Sequence, residues 1–126
     1  MPKVKTHHWA GVTLSMKNMF GIVPGSRYGW PKNILHWAGI HEAILDICAT
    51  VRPHFVIADA IVAMQGDGPL NGTEHSLQTL VLSDDPVAAD ATCMRSMRII
   101  PDQVTHIREA TRFLGRSAGR DIEYLK

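Results

Sequence analysis

Cysteine is nearly absent from this 126-residue chain. Only Cys48 and Cys93 occur, each inside a segment that reads as a buried helix. Two such residues make neither a disulfide framework nor an iron–sulfur cradle, which takes about four thiolates. A reducing cytoplasmic setting is the simple expectation. Charge of one sign is also lacking: 13 Lys and Arg face 12 Asp and Glu, for a formal net charge of +1. Phosphate-backbone binding normally needs a strong basic excess, so no nucleic-acid partner is expected. Long apolar runs are missing too. None approaches the roughly 20 residues that cross a bilayer, so no membrane partner is expected. The opening "MPKVKTHHW" lacks the apolar centre of a secretory signal. Internal repeats, a G-x-S-x-G elbow, a G-x-G-x-x-G turn and a Walker pattern do not occur.

What remains is enough apolar residue, 45%, to build a real core in one domain, residues 1–126. Trp9–Phe20 is ambiguous between helical and alternating spacing, and helix is favoured. A Gly/Pro-rich loop leads to Asn33, which predicts an N-cap for a helix over Ile34–Val51, with Trp37, Ile40, Ile44, Ile47 and Val51 inward. "HFVIADAIVAM" predicts a central strand covered on both faces. "QGDGPLNGTEHS" reads as a twelve-residue loop before a second strand, "LQTLVLS". Asp84 or Asp85 with Pro86 opens the next helix, and "DQVTHIREATRFL" forms the last. Two strong strands among four helices leave two open sheet edges, which sheets normally avoid. Short strands near Val4 and Ile122, a second copy of the chain, or a missing N-terminal portion would cover them. The fold class is α/β, a small mixed sheet covered by helices, within a larger α/β domain.

Two groups of polar residues stand out. Lys5, Thr6, His7, His8, Lys17 and Asn18 flank an apolar segment. If a helix starts near His8 or Trp9, its free N–H groups join the lysines in facing a small anionic ligand, with a histidine to move a proton. Solvated lysines beside a packed His8 are the plain alternative. The second group is carboxylates. Asp59 lies mid-strand, where an unpaired charge is costly, and Asp67 lies in a loop long enough to carry function. Asp90 sits within a core helix, and a helix-tethering hydrogen bond is its structural alternative. His7 with Asp67 is the expected proton-handling pair. Lys5, Lys17, Asn18, Asp59 and Asp90 are the expected ligand contacts. Adjacent His7 and His8 point apart and would need distant help from Asp67 or His75, so no metal is expected.

The phrases "PKVKTHHWAGVTLSMKNMFGIVPG", "YGWPKN", "ADAIVAMQGDGPLNGT" and "DPVAADATCMR" resemble the bacterial and archaeal family catalogued as domain of unknown function 362. The resemblance covers Pro2 to about residue 119. It implies no particular reaction or cofactor. Many members carry a ferredoxin-like iron–sulfur module beside this domain; this chain shows none, so no cluster is expected on it. Members also usually carry sequence before "PKVKTH", which implies that this chain is the C-terminal portion of the family domain. The competing function is a non-catalytic scaffold or interaction domain associated with an iron–sulfur redox protein.

Overall fold

The computed structural model describes residues 1–30 and 32–118. Four strands form one mixed sheet in the order β2-β1-β3-β4. They are β1 (Lys3–His7), β2 (Gly11–Thr13), β3 (Val56–Asp67) and β4 (Asn71–Ser83). β1 runs parallel to β3, and the other two pairings are antiparallel. The strand expected near Val4 is therefore present and occupies an interior position. The counterpart near Ile122 lies outside the described residues.

The segment favoured as a helix from Trp9 is a strand first. β1 and β2 join through a tight turn in which Gly11 takes φ 77°, a value that suits glycine. Val12 and Leu14 alternate into the core, both fully buried. Only then does the chain coil, as α1 (Ser15–Asn18) and a 3-10 turn, Met19–Ile22. Val12 and Met16 satisfied both periodicities, Leu14 only the alternating one, and pairing with β1 decided between them.

The long helix expected over Ile34–Val51 is broken. After a short α2 (Gly25–Tyr28) come α3 (Asn33–Trp37) and α4 (Ile40–Val51), separated at Gly39, where φ is 122°. Asn33 is the first residue of α3 rather than its cap. The break turns α3 out of the stripe: Ile40, Ile44 and Cys48 are buried, whereas Trp37 is 74% exposed.

The twelve-residue loop is also a strand. β3 and β4 pair from Val56↔Ser83 to Asp67↔Asn71, leaving only residues 68–70 as the turn, with Gly68–Pro69 cis. Leu77 and Gln78 of β4 stand opposite Ile61 alone, a bulge in which Gln78 adopts φ 51°.

α5 (Pro86–Ser96) begins as expected, with Asp85 Oδ1 accepting from the N–H groups of Val87 (2.7 Å) and Ala88 (3.1 Å). A 3-10 turn, Pro101–Gln103, precedes α6 (Thr105–Ala110), which buries Ile107 and Ala110. The core is continuous between the sheet and helices α1, α4, α5 and α6. The sheet's other face is bare: Ile57, Ile61, Leu80 and Leu82 are each 41–60% exposed. The central strand is thus covered on one face, not two.

Candidate functional site

The turn between β1 and β2 places His7 where its strand meets the helices. His7 is nearly buried, and its Nδ1 accepts from the backbone N–H of Trp9 (3.2 Å) and Ala10 (3.1 Å). Two donors on Nδ1 fix the tautomer, so the ring carries its hydrogen on Nε2. The hairpin tip braces the same turn. Gly68 C=O receives His8 N–H (3.0 Å) and His8 Nδ1–H (3.1 Å), and Thr6 Oγ1 donates to Gly66 C=O (2.8 Å). A Cβ at residue 68 would stand 2.1 Å from Thr6 O, so only glycine permits this approach.

Around His7 the chain gathers cations and rings. His7 stacks on His8 (5.0 Å) and faces His36 of α3 (6.4 Å). Trp9 and Phe20 lie 5.6 and 5.3 Å from His36. Lys17 Nζ sits 4.9 Å above the Phe20 ring. His36 Nδ1 donates to Lys32 C=O (3.0 Å), and Lys32 Nζ lies 5.3 Å over Trp30. Burial, then the charges of Lys17, His8, His36 and Lys5, push the His7 imidazole down to about 4. Burial, then repulsion from Lys5 and Lys32, holds the Lys17 ammonium below its usual range. Lys5, Lys17 and Lys32 form no salt bridge among the described residues.

The carboxylates are elsewhere. Asp59 accepts from Lys3 Nζ and from Ile61 N–H, both at 3.0 Å, and these bonds hold its carboxyl below the usual range. It pairs with a surface lysine and supports the strand beside the bulge. Asp67 is exposed at the end of β3 opposite Asn71, and its side chain makes no hydrogen bond or ion pair among the described residues. The long loop that recommended it is a hairpin. Asp90 is fully buried and accepts from Ser15 N–H (2.7 Å), Ser15 Oγ (2.5 Å) and Met16 N–H (3.0 Å). It therefore tethers α1 to α5. Asn18 is exposed and lines a small cavity of about 70 Å³ with Met1, Pro2 and Phe55. Of the residues expected at one site, Lys5, His7 and Lys17 come together. Asn18, Asp59, Asp67 and Asp90 do not join them.

Helix position also differs from the expectation. No helix begins at His8 or Trp9; the helix starts in this region are those of α1, which contains Lys17, and of α3, which Lys32 precedes, and His7 Nε2–H is a further donor. His36 was missed because the long-helix reading gave it to a core helix, and Lys32 because it was read as part of the Gly/Pro-rich loop.

A second histidine pair lies between α4 and α6. His41 Nδ1 and His106 Nδ1 are 3.0 Å apart, so one ring donates and the other accepts. His106 is fully buried and its Nε2 has no partner. Burial, then His41 and Lys17, push His106 down to about 3. The unfolded chain therefore binds the extra proton between about pH 3 and 6.5, and stability is lost as pH falls through that window. His106→Leu should remove as much as one proton from that dependence, about 1.4 kcal/mol per pH unit. Urea unfolding at successive pH values from 7 to 4 measures it; an unchanged slope refutes a neutral buried His106.

Among the described residues, no three His, Cys, Asp or Glu side chains lie close enough to hold a metal ion. Burial pushes both thiols, Cys48 and Cys93, up to about 12, so neither is a ready thiolate. No described helix is long and apolar enough to cross a membrane. A groove of about 460 Å³ runs between α4 and the 22–28 segment, lined by Ile22, Leu35, Glu42, Asp46 and Ile47 among others. None of the clustered cations lines it.

A family model described as "Domain of unknown function (DUF362)" matches residues 1–95. Among curated proteins, the chain is 29% identical over 109 residues to "Thylakoid-associated protein sll1697" of Synechocystis sp.. That match takes in 80% of this chain and 32% of the relative, so the chain spans about a third of the relative's length. No solved structure matches the chain.

Proposed function

The chain belongs to the family described as domain of unknown function (DUF362); from that premise, which names no reaction, we propose that it binds a small oxyanion, a phosphate or carboxylate, at Lys5, His7, Lys17, Lys32 and His36. One observation carries the reading. Lys17 is partly desolvated beside two other lysines, and no carboxylate of the described chain compensates it. Cations pressed together without a counter-charge are costly unless an anion supplies it. Lys5, Lys17 and Lys32 provide the charge. His7, neutral and with its tautomer fixed by Trp9 and Ala10 N–H, provides a directed Nε2–H donor. His36, whose Nδ1–H is engaged by Lys32 C=O, keeps its Nε2 lone pair for a protonated oxygen. Proton handling, if chemistry occurs here, falls to His7 and His36 without Asp67.

Imidazole resonances followed by NMR test this. Titration with phosphate, sulfate and succinate to about 10 mM should shift His7 and His36 saturably, since even millimolar binding is worth about 4 kcal/mol. Shifts that rise linearly, or none at all, overturn the site.

A second reading, an interaction domain with no small ligand, draws on the bare sheet face of Ile57, Ile61, Leu80 and Leu82. Under it, concentration-dependent association accompanies silence in the anion titration.

A further inference from the structure

The near-zero net charge conceals a partition. Residues 1–41 contain five basic residues, Lys3, Lys5, Lys17, Arg27 and Lys32, and none of the 12 Asp and Glu; the first carboxylate is Glu42. All three tryptophans fall in the same stretch. Trp9, Trp30 and Trp37 are 50%, 85% and 74% exposed.

Contacts already described join these groups. Trp9 and Phe20 flank His36, Lys17 covers Phe20, and Lys32 bridges from His36 to Trp30. Ile34 and Trp37, three apart on α3 and so on one side of it, are both more than half exposed, as is Ile22. Lys3 is paired with Asp59, whereas Lys5, Lys17, Arg27 and Lys32 have no ion pair among the described residues. Single exposed apolar side chains are ordinary. Three exposed indoles beside unpaired cations are a pattern with a physical use. Indole rings settle between lipid headgroups and acyl chains, and lysine and arginine beside them meet anionic headgroups.

Carboxylates of α4 stand nearby, since Glu42 and Asp46 line the groove with Ile22 and Leu35. We propose that the exposed side chains of Arg27, Trp30, Ile34 and Trp37 dock this stretch on the surface of an anionic lipid bilayer. Trp30, Trp37 and Ile34 enter the headgroup layer, while exposed Arg27 and half-buried Lys17 meet lipid phosphates; Lys32 is itself buried and lies against Trp30. The expectation of no membrane partner rested on the absence of a spanning segment, which surface docking does not need. An acidic protein would attract the same cations, and tryptophan also serves protein interfaces, so that alternative is an outcome of the test below. The proposal shares Lys17 with the oxyanion site and in that respect rests on it.

Flotation with phosphatidylcholine vesicles, with and without about 30% phosphatidylglycerol, tests the proposal, because each basic residue near an anionic surface adds about fivefold in partitioning. The protein should float with the anionic vesicles at about 0.1 M salt, with a blue shift of tryptophan emission, and be released at about 0.5 M, where charge is screened. The double variant Trp30→Ser, Trp37→Ser should lower partitioning by roughly tenfold or more while leaving the far-UV spectrum, melting temperature and phosphate titration unchanged. Equal recovery with both vesicle types, or none with either, overturns docking. If phosphate still moves His7 while anionic vesicles fail, docking falls and the oxyanion site stands; if both fail, both fall. Retention on an acidic polypeptide with no vesicle binding also overturns it.

Discussion

Replacing Asp90 with alanine should cost about 3–5 kcal/mol, because two buried N–H donors and the Ser15 hydroxyl lose their partner, and a buried polar group left unpaired costs about 1–3 kcal/mol. For a domain of this size the melting temperature should drop by about 12–20 °C, measurable by calorimetry. Ser15 N–H, Ser15 Oγ and Met16 N–H all converge on this one carboxyl, and through them α1 is held to α5. A loss under about 1 kcal/mol would refute the tether. The carboxyl also titrates where few aspartates do. Burial pushes it up to about 7, against the hydrogen bonds from Ser15 and Met16. Ser15 Oγ has one hydrogen but two acceptors in reach, Asp90 Oδ1 at 2.5 Å and Pro86 C=O at 3.1 Å. A protonated Asp90 resolves this: it donates to Ser15 Oγ, which then donates to Pro86. The folded state thus holds a proton that the unfolded chain releases above about pH 4. Its contribution falls as pH rises from about 4 to about 7. His7 and His106, both pushed down, act with the opposite sign over much of that range. Asp90→Asn isolates the aspartate: the stability gap between wild type and this variant should widen as pH is lowered from 7 to 4.

Lys17→Met should separate stability from binding. Removing a partly desolvated ammonium that two lysines repel should stabilise the free protein by about 1 kcal/mol. The same change should abolish protection by oxyanions. In wild type, an anion at 100 times its dissociation constant adds about 2.7 kcal/mol, a rise of about 10 °C in melting temperature; in the variant the curve should not move. The alkaline limb supplies a control. Because the folded-state value lies below the unfolded one, wild-type stability rises as pH climbs towards 10.5, and the variant lacks that rise. Loss of stability with protection intact would show Lys17 to be structural.

The α/β architecture and α5 with its Asp85 cap were legible because capping and apolar spacing are local signals. The β1 strand was inferable from sheet edges needing partners. What failed was set by distant pairing. Trp9–Phe20 carries both periodicities, and only β1 tells the chain to extend there. "QGDGPLNGTEHS" has turn composition, yet cross-strand hydrogen bonds carry it into a hairpin as far as Asp67 and Asn71. Gly39 was absorbed into a helix whose apolar count outweighed it. At the site, the lysines and His7 were readable as a cluster. The carboxylates were not, because Asp59, Asp67 and Asp90 answer to a surface lysine, a hairpin end and a buried serine. The signal passed over was the 41-residue opening without a single acid, invisible to any count made over the whole chain.

The interior place of β1 governs the order of assembly. Its parallel neighbour is 56 positions downstream, Lys3 opposite Asp59, whereas β3 and β4 meet across a three-residue turn. Local closure is fast and distant closure slow, so the hairpin zips up early and the leading strand slots in late. His7 rides on that strand. The cluster of cations around it should therefore be completed late in folding, so that a nascent or partly melted molecule has its central hairpin before Lys5 and His7 are in place.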